Sequence, residues 1–383
     1  MLRTACILLA AAAALGQAPL KKVEFEGQPA LLMENGTLAL TVMPRGASLA
    51  SVVLPPDPEK INPLWNPARM ARELGQKRAP GGATGHFVCV DGFGPVSPEE
   101  RAAGLPGHGE AHLLEMAVKV SKKDGRISTV SLAAELPITR ERFTRTIRMV
   151  DGENVVYVES ELESLVGFDR PVCWAEHATI GSPFLEPAET AVDMPARRAR
   201  TRPYQPRSGT LPRRLAPDKD FTWPMAPAVK GGKIDLRAAP LKTNSIDHTT
   251  CLIDPARKLA WVTALHPRRR LVLGYVWKRE EYPWLQSWEN YPPTGKLARG
   301  IEFSTQPFDV PRREVIQLNA MFGAPVYRWL PAKSRIGTRF LLFYAPAPEG
   351  MRRVDEVRLE NGRLLIEDRR AKKQIELPAS LPL

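Results

Sequence analysis

Strand-like segments follow one another along most of this chain with only turns between them. That arrangement limits its fold more than any other feature. Residues 126–136 (RISTVSLAAEL), 143–150 (FTRTIRMV) and 154–164 (NVVYVESELES) are rich in β-branched and apolar residues, and DGEN at 151–154 supplies a turn. The same reading applies to 37–43 and 47–54 around Pro44-Arg45-Gly46, to 112–121, and to 247–254, 259–266, 270–278, 300–308 and 338–347. Only 66–75 (NPARMARELG) has helical composition, and the 37 prolines spread over many turns weigh against long helices. Close strands without crossover helices argue against a βαβ plan and predict a mostly β sandwich or barrel. Two irregular stretches, 55–107 and 183–240, are long enough to be binding loops. Residues 354–378 read as a small hairpin or meander with a turn at Asn361-Gly362. It is expected as an extension at 351–383 after one main domain at 19–350, with no catalytic content.

Residues 1–18 have the pattern of an export signal. Arg3 precedes an apolar run from Ala5 to Leu15, and Gly16-Gln17-Ala18 offers small residues before Pro19. No later run reaches about 18 apolar residues, so no transmembrane helix is expected. The expectation is an exported protein, periplasmic or secreted. Downstream, Cys89, Cys173 and Cys251 form neither a disulfide framework nor a zinc-finger spacing. The formal charge is +12, and much of it lies in RRARTRPYQPRSGTLPRR at 197–214. Export and the lack of a recognition-helix pattern argue against nucleic acid. A solvated loop, or arginines placed beside an acidic substrate, are the remaining readings.

Three segments bring histidine or carboxylate into strand-like, Gly-rich surroundings: GLPGHGEAH at 104–112, WAEHATIGSPFL at 174–185 and GIEFSTQPF at 300–308. His108 and His112 flank Glu110, and an extended backbone would put all three on one face. Such a face could hold a metal if His177 or another carboxylate joined it; the alternative is that Glu110 and His112 are structural. His177 stands where a strand meets a Gly-Ser-Pro turn, and an imidazole titrates near neutrality, which suits proton transfer. Glu302 interrupts an apolar strand. Pointing inward, its carboxylate would be costly unless paired or used, and burial would raise its pKa. Trp277, Tyr282, Trp284, Trp288 and Tyr291 crowd into 275–293, and Trp65 sits in PLWNP. Aromatic faces of this kind stack on sugar rings or fill cores.

In order and separation these segments resemble the aldose 1-epimerase (galactose mutarotase-like) superfamily. ENGTLALTVMPRGASLASVVL resembles its opening strands, GLPGHGEAH its first histidine motif, EHATIGSPF its second, and GIEFSTQPFDVP the late strand with the catalytic base. The resemblance spans most of 25–346. It implies a β-supersandwich of large antiparallel sheets, with Glu302 as base, His177 as acid and His108 as a sugar contact. Arg45, Asp91 and Asp247 are then candidate sugar contacts. Glu110 and His112, with Trp65, Trp277, Trp284 and Trp288, are candidate pocket residues. The implied partner is a monosaccharide or oligosaccharide, and no cofactor is required. The implied reaction interconverts α and β anomers by acid–base ring opening. Ala178-Thr179-Ile180-Gly181 replaces the aromatic-Asn-Leu that follows the second histidine in the galactose enzymes, which leaves the sugar open. Two rivals share the fold. One is a non-catalytic carbohydrate-binding protein. The other is a hydrolase or lyase acting on an oligosaccharide or uronate, with a metal at His108, Glu110 and His112.

Overall fold

The computed structural model describes residues 20–78, 81–203 and 210–383. The export pattern at 1–18 therefore lies outside the described residues, as do positions 204–209 of the basic stretch. Among the described residues no helix is long and apolar enough to cross a membrane. Two large antiparallel sheets face each other. In the larger, twelve-stranded sheet, the central neighbours run His86–Val90, Trp174–Gly181, Ala298–Gly300, Trp284–Tyr291, Ser245–Ile253 and Ala196–Thr201. The short strand Glu302–Ser304 pairs with both Trp174–Gly181 and Trp284–Tyr291. The second sheet has eight strands, including Ile127–Leu136, Glu141–Val150, Val155–Ser164, Leu271–Lys278 and Arg335–Pro346. This is a mostly β sandwich, one of the two forms that the strand spacing predicted, and it has the large antiparallel sheets of the supersandwich that the resemblance implied.

Period-two alternation explains the core. Leu40, Val42, Val88, Ile180 and Leu285 from the larger sheet pack on Leu132, Phe143, Val158, Leu273 and Leu342 from the smaller. Each such burial contributes about 1.5–3 kcal/mol before chain entropy is counted. The residues between them in sequence face outward. On the smaller sheet Val155, Val272, Leu341 and Phe343 meet a C-terminal three-stranded sheet carrying Val357, Leu364, Ile366, Ile375 and Leu377. The smaller sheet is thus covered on both faces. Cys89, Cys173 and Cys251 are buried and free.

Three local expectations need correction. Residues 112–121 are not one strand: a 3-10 turn covers Ala111–Leu113, and the strand begins only at Ala117. The stretch 55–107 is not wholly irregular. Besides the helix Pro67–Glu73, which falls within the expected 66–75 and is capped by the Asn66 side chain, it holds the central strand His86–Val90. That strand is five residues long and fully buried, too short to declare itself by alternation. Finally, 300–308 breaks at Ile301, whose N–H reaches the Ala178 carbonyl at 2.8 Å between two three-residue strands.

Candidate functional site

One face of the twelve-stranded sheet lies on the core. Its other face carries a row of polar and aromatic side chains set by register. Phe87 is opposite His177, Glu302 opposite Gln286, and His248 opposite Trp288. Alternation sends their sequence neighbours Glu176, Phe303, Asp247 and Glu289 to the reverse face. Above the row lies a pocket of about 350 Å³ walled by Trp65, Phe87, Phe93 and Trp288. His108, His112, His177, His248, Glu302 and Asp309 also line it. Its size falls in the range of about 300–1,000 Å³ usual for small-molecule sites.

Glu302 is 1% exposed. Its Oε1 stands 3.4 Å from His177 Nε2. Burial pushes this carboxyl well above the usual carboxylate range, the nearby Asp309 charge adds to the rise, and Arg202 opposes it. Gly300 makes the position available, since a Cβ there would sit 1.9 Å from Glu302 Oε1. His177 is held well below the usual imidazole pKa by burial, with the charge on His108 as the next cause. Its ring stacks on Phe87 at 4.2 Å between centroids, and Nδ1 meets Thr179 Oγ1 at 3.0 Å.

His108 reaches the pocket through a turn. It has φ +66°, and Gly109 follows with φ +74°. A Cβ at 109 would lie 2.1 Å from the Val90 carbonyl oxygen, so the turn requires glycine there. His108 Nδ1 accepts the Gly94 N–H at 3.3 Å, which leaves Nε2 to carry the proton of the neutral ring. Its pKa is lowered, chiefly by burial. The His112 ring, 6.2 Å from that of His108, is lowered to about 4 by burial and then by the His108 charge. On the far wall, burial likewise lowers His248 to about 4 against the pull of Asp309. His248 Nδ1 is 3.7 Å from Asp309 Oδ1, and Asp309 forms an ion pair with Arg202.

Of the residues expected from sequence, His108, His112, His177, Glu302, Trp65 and Trp288 meet in this pocket. Six do not line it. Glu110 turns away: its Oε1 accepts the N–H groups of Ile138 and Thr139, each at 2.9 Å, and the Thr139 hydroxyl at 3.2 Å. Because the segment is a turn and not a strand, His108, Glu110 and His112 share no face, and the metal-binding triad comes apart. Among the described residues no group of three His, Cys, Asp or Glu is placed to hold a metal ion. Asp91 is buried beside Arg312 at 2.8 Å and Arg170 at 3.6 Å. Asp247 is engaged by Arg214 at 2.7 Å. Arg45 influences His112 from outside the pocket. Trp277 and Trp284 are core residues, their Nε1–H groups donating to the carbonyls of Tyr282 and Pro325. Sequence reasoning missed Phe87, Phe93, His248 and Asp309. The available signal for Asp309 was its position inside GIEFSTQPFDVP; for His248 the strand alternation offered two faces and no means of choosing the one that holds the pocket.

No protein-family model matches the chain, and no curated protein matches it in sequence. Solved structures share its fold at low identity. A Synechocystis protein superposes with TM-score 0.57 at 13% identity, over 85% of this chain and 99% of its own. A candidate mutarotase from Salmonella typhimurium gives 0.56 at 12% identity, over 85% and 94%. A galactose mutarotase related enzyme from Lactobacillus acidophilus gives 0.54 at 14% identity, over 86% and 100%.

Proposed function

We propose, from the premise that the chain has the galactose mutarotase-like fold, that it is an exported aldose 1-epimerase interconverting the anomers of a sugar. The observation that carries this reading is the buried His177–Glu302 pair, 3.4 Å apart on the floor of an aromatic-walled pocket. Ring opening of a hemiacetal needs one group to remove the O1 proton and another to protonate O5. Burial raises the Glu302 carboxyl and lowers the His177 imidazole, in each case favouring the neutral form, so each group can hand over or take up a proton as the other does the reverse.

Opening then proceeds as follows. His177 Nε2 takes the proton from O1 while the Glu302 carboxyl gives its proton to O5. The C1–O5 bond breaks and C1=O1 forms. After rotation about C1–C2, O5 attacks the other face of C1, returning its proton to Glu302, while the His177 imidazolium protonates O1. The sequence reading puts the carboxylate on O1 and the imidazole on O5. Starting from the neutral pair the roles run in the opposite order, and reclosure exchanges them, so one turnover passes through both charge states. The His108 Nε2–H supports a hydrogen bond to a sugar oxygen, and Trp65 and Trp288 support stacking against the ring. No step calls for a cofactor.

The test is anomer interconversion, followed by polarimetry or NMR on freshly dissolved α-anomers. Acceleration by the wild-type protein, lost in E302Q, is expected. Normal turnover by E302Q would sink the assignment. Saturable sugar binding with no rate change in the wild type would identify a binding protein on the same fold.

A further inference from the structure

His177 has two ring nitrogens, and the reaction above uses only one of them. Nε2 faces Glu302 Oε1 at 3.4 Å, and Nδ1 faces Thr179 Oγ1 at 3.0 Å. Thr179 stands two residues further along the same strand, so alternation puts its side chain on the pocket face beside the ring. Its main chain is tied on every side. The Thr179 N–H donates to the Gly85 carbonyl at 3.2 Å, its carbonyl accepts the Trp65 N–H at 2.8 Å, and the residue is paired with Gly300 across the sheet. The side chain is fully buried. Phe87, stacked on the imidazole with 21° between the planes, fixes the plane of the ring.

A neutral imidazole carries one proton, and the partner of each nitrogen decides where it resides. On the Nδ1 side, Thr179 Oγ1 offers its lone pairs, and the backbone carbonyl of His177 itself also favours a ring proton. A carbonyl can only accept, and Nδ1 is the ring nitrogen nearer the main chain. On the Nε2 side stands a carboxyl that burial keeps protonated, which is a donor beside a lone pair. Both sides therefore place the proton on Nδ1. The structural histidine on the reverse face lacks this arrangement. His86 Nε2 meets Glu176 at 2.8 Å, and among the described residues its buried Nδ1 has no hydrogen-bond partner.

We propose that Thr179 is a positioning residue for the reacting pair: its hydroxyl oxygen holds the proton of neutral His177 on Nδ1, which leaves the Nε2 lone pair to take the O1 proton of the sugar. This rests on the anomer-interconversion reading of the pocket. With the proton on Nε2 instead, the edge of the ring that meets the sugar has no lone pair, and opening cannot begin there. Once Nε2 is protonated, Nδ1–H becomes a charged donor and its bond to Oγ1 strengthens. Thr179 thus stabilises the imidazolium more than the resting ring, which is the kind of difference that lowers a barrier.

The experiment follows the ring itself and then turnover. Isotope-labelled histidine nitrogens are observed by long-range proton–nitrogen NMR correlation at about pH 8, where the buried His177 ring is neutral, and its signals are assigned by their loss in H177Q. The proton is expected on Nδ1 in wild type and in T179S. T179V, nearly the same size but unable to accept, should shift the ring toward the Nε2–H form. In anomer interconversion T179V should lower kcat roughly tenfold to hundredfold with KM within about threefold, and T179S should restore most of the rate. Circular dichroism checks folding, and if T179V misfolds the tautomer of the wild type decides. A wild-type ring with its proton on Nε2, or a folded T179V with the wild-type tautomer and kcat, overturns the proposal. If no sugar is turned over, the anomer reading fails by itself. A proton on Nδ1 that leaves it in T179V then still supports Thr179 as the group that sets the ring, and a proton on Nε2 overturns it.

Discussion

Glu176 and His177 are adjacent on one strand, and each faces a partner of the other's kind, yet the two sides of the sheet treat the same chemistry differently. On the core side the Glu176 carboxylate receives His86 Nε2 at 2.8 Å and Arg145 Nη2 at 2.7 Å from both oxygens. The Tyr282 hydroxyl adds a contact at 3.3 Å, and all three charged or ionisable partners are 0% exposed. Arg145 and His86 outweigh burial, and Glu176 is held below the usual carboxylate range. On the pocket side Glu302 has a histidine at 3.4 Å and, among the described residues, no guanidinium ion pair, and burial wins. The arginine makes the difference. With it, a buried carboxylate stays charged and structural. Without it, the proton stays close by and can be moved.

Removing that arginine should produce the largest effect. Arg145→Met leaves the Glu176 carboxylate buried with only neutral donors, and a loss of about 3–5 kcal/mol is expected in denaturant melts. Stability within 1 kcal/mol of wild type would show that the hub is not charged. Next, Glu302→Gln should divide the two sides cleanly. Anomer turnover should fall roughly 10²–10⁴-fold, while the melting temperature stays level or rises, because no buried carboxyl then opposes ionisation. A melting temperature that collapses with this change would class Glu302 with Glu176. Gly300→Ala is a gentler probe. It pushes the Glu302 carboxylate from its place, and a turnover loss of around tenfold to hundredfold with the fold retained is expected.

The smallest effects are in the pH profile of stability. His86, His108, His112, His177 and His248 all have folded pKa values below the ordinary 6.5, with His112 and His248 at about 4. Between pH 6.5 and 4 the unfolded chain binds more protons than the native one, so stability should fall as the pH drops through that window. Glu302 has the opposite sign. Its folded pKa is raised, so its contribution is complete below pH 4.5 and is lost as pH rises toward the folded value. Melts of wild type and E302Q at a series of pH values should therefore diverge upward from pH 4.5, with the variant gaining. Parallel curves would mean that Glu302 is not kept protonated by the fold.

The sheet architecture was legible because period-two runs and turn residues report directly on strands. His108, His177 and Glu302 were legible because a histidine against glycine, or a carboxylate inside an apolar strand, is physically awkward unless a site explains it. One error comes from the pleat of a strand. Asp247 was chosen where His248 is the one that lines the pocket, and the neighbouring residues of a strand point to opposite faces. Without knowing which face held the pocket, alternation could not choose between them. The tryptophans pose a different ambiguity, of position along the strand. Trp284 and Trp288 share a face at opposite ends of one strand, and only Trp288 reaches the pocket. Glu110 failed for a different reason, since the positive φ of His108 bends the segment before Glu110 can align with its neighbours.

The C-terminal three-stranded sheet touches none of this chemistry, yet it governs how the chain can be handled. It covers Tyr157, Trp261, Val276 and Phe343 on the outer face of the smaller sheet. A truncation ending near residue 350 would keep every pocket residue and expose that apolar surface as one adhesive face. Attempts to minimise the protein for crystallisation or engineering should accordingly yield inclusion bodies before they yield a soluble fragment.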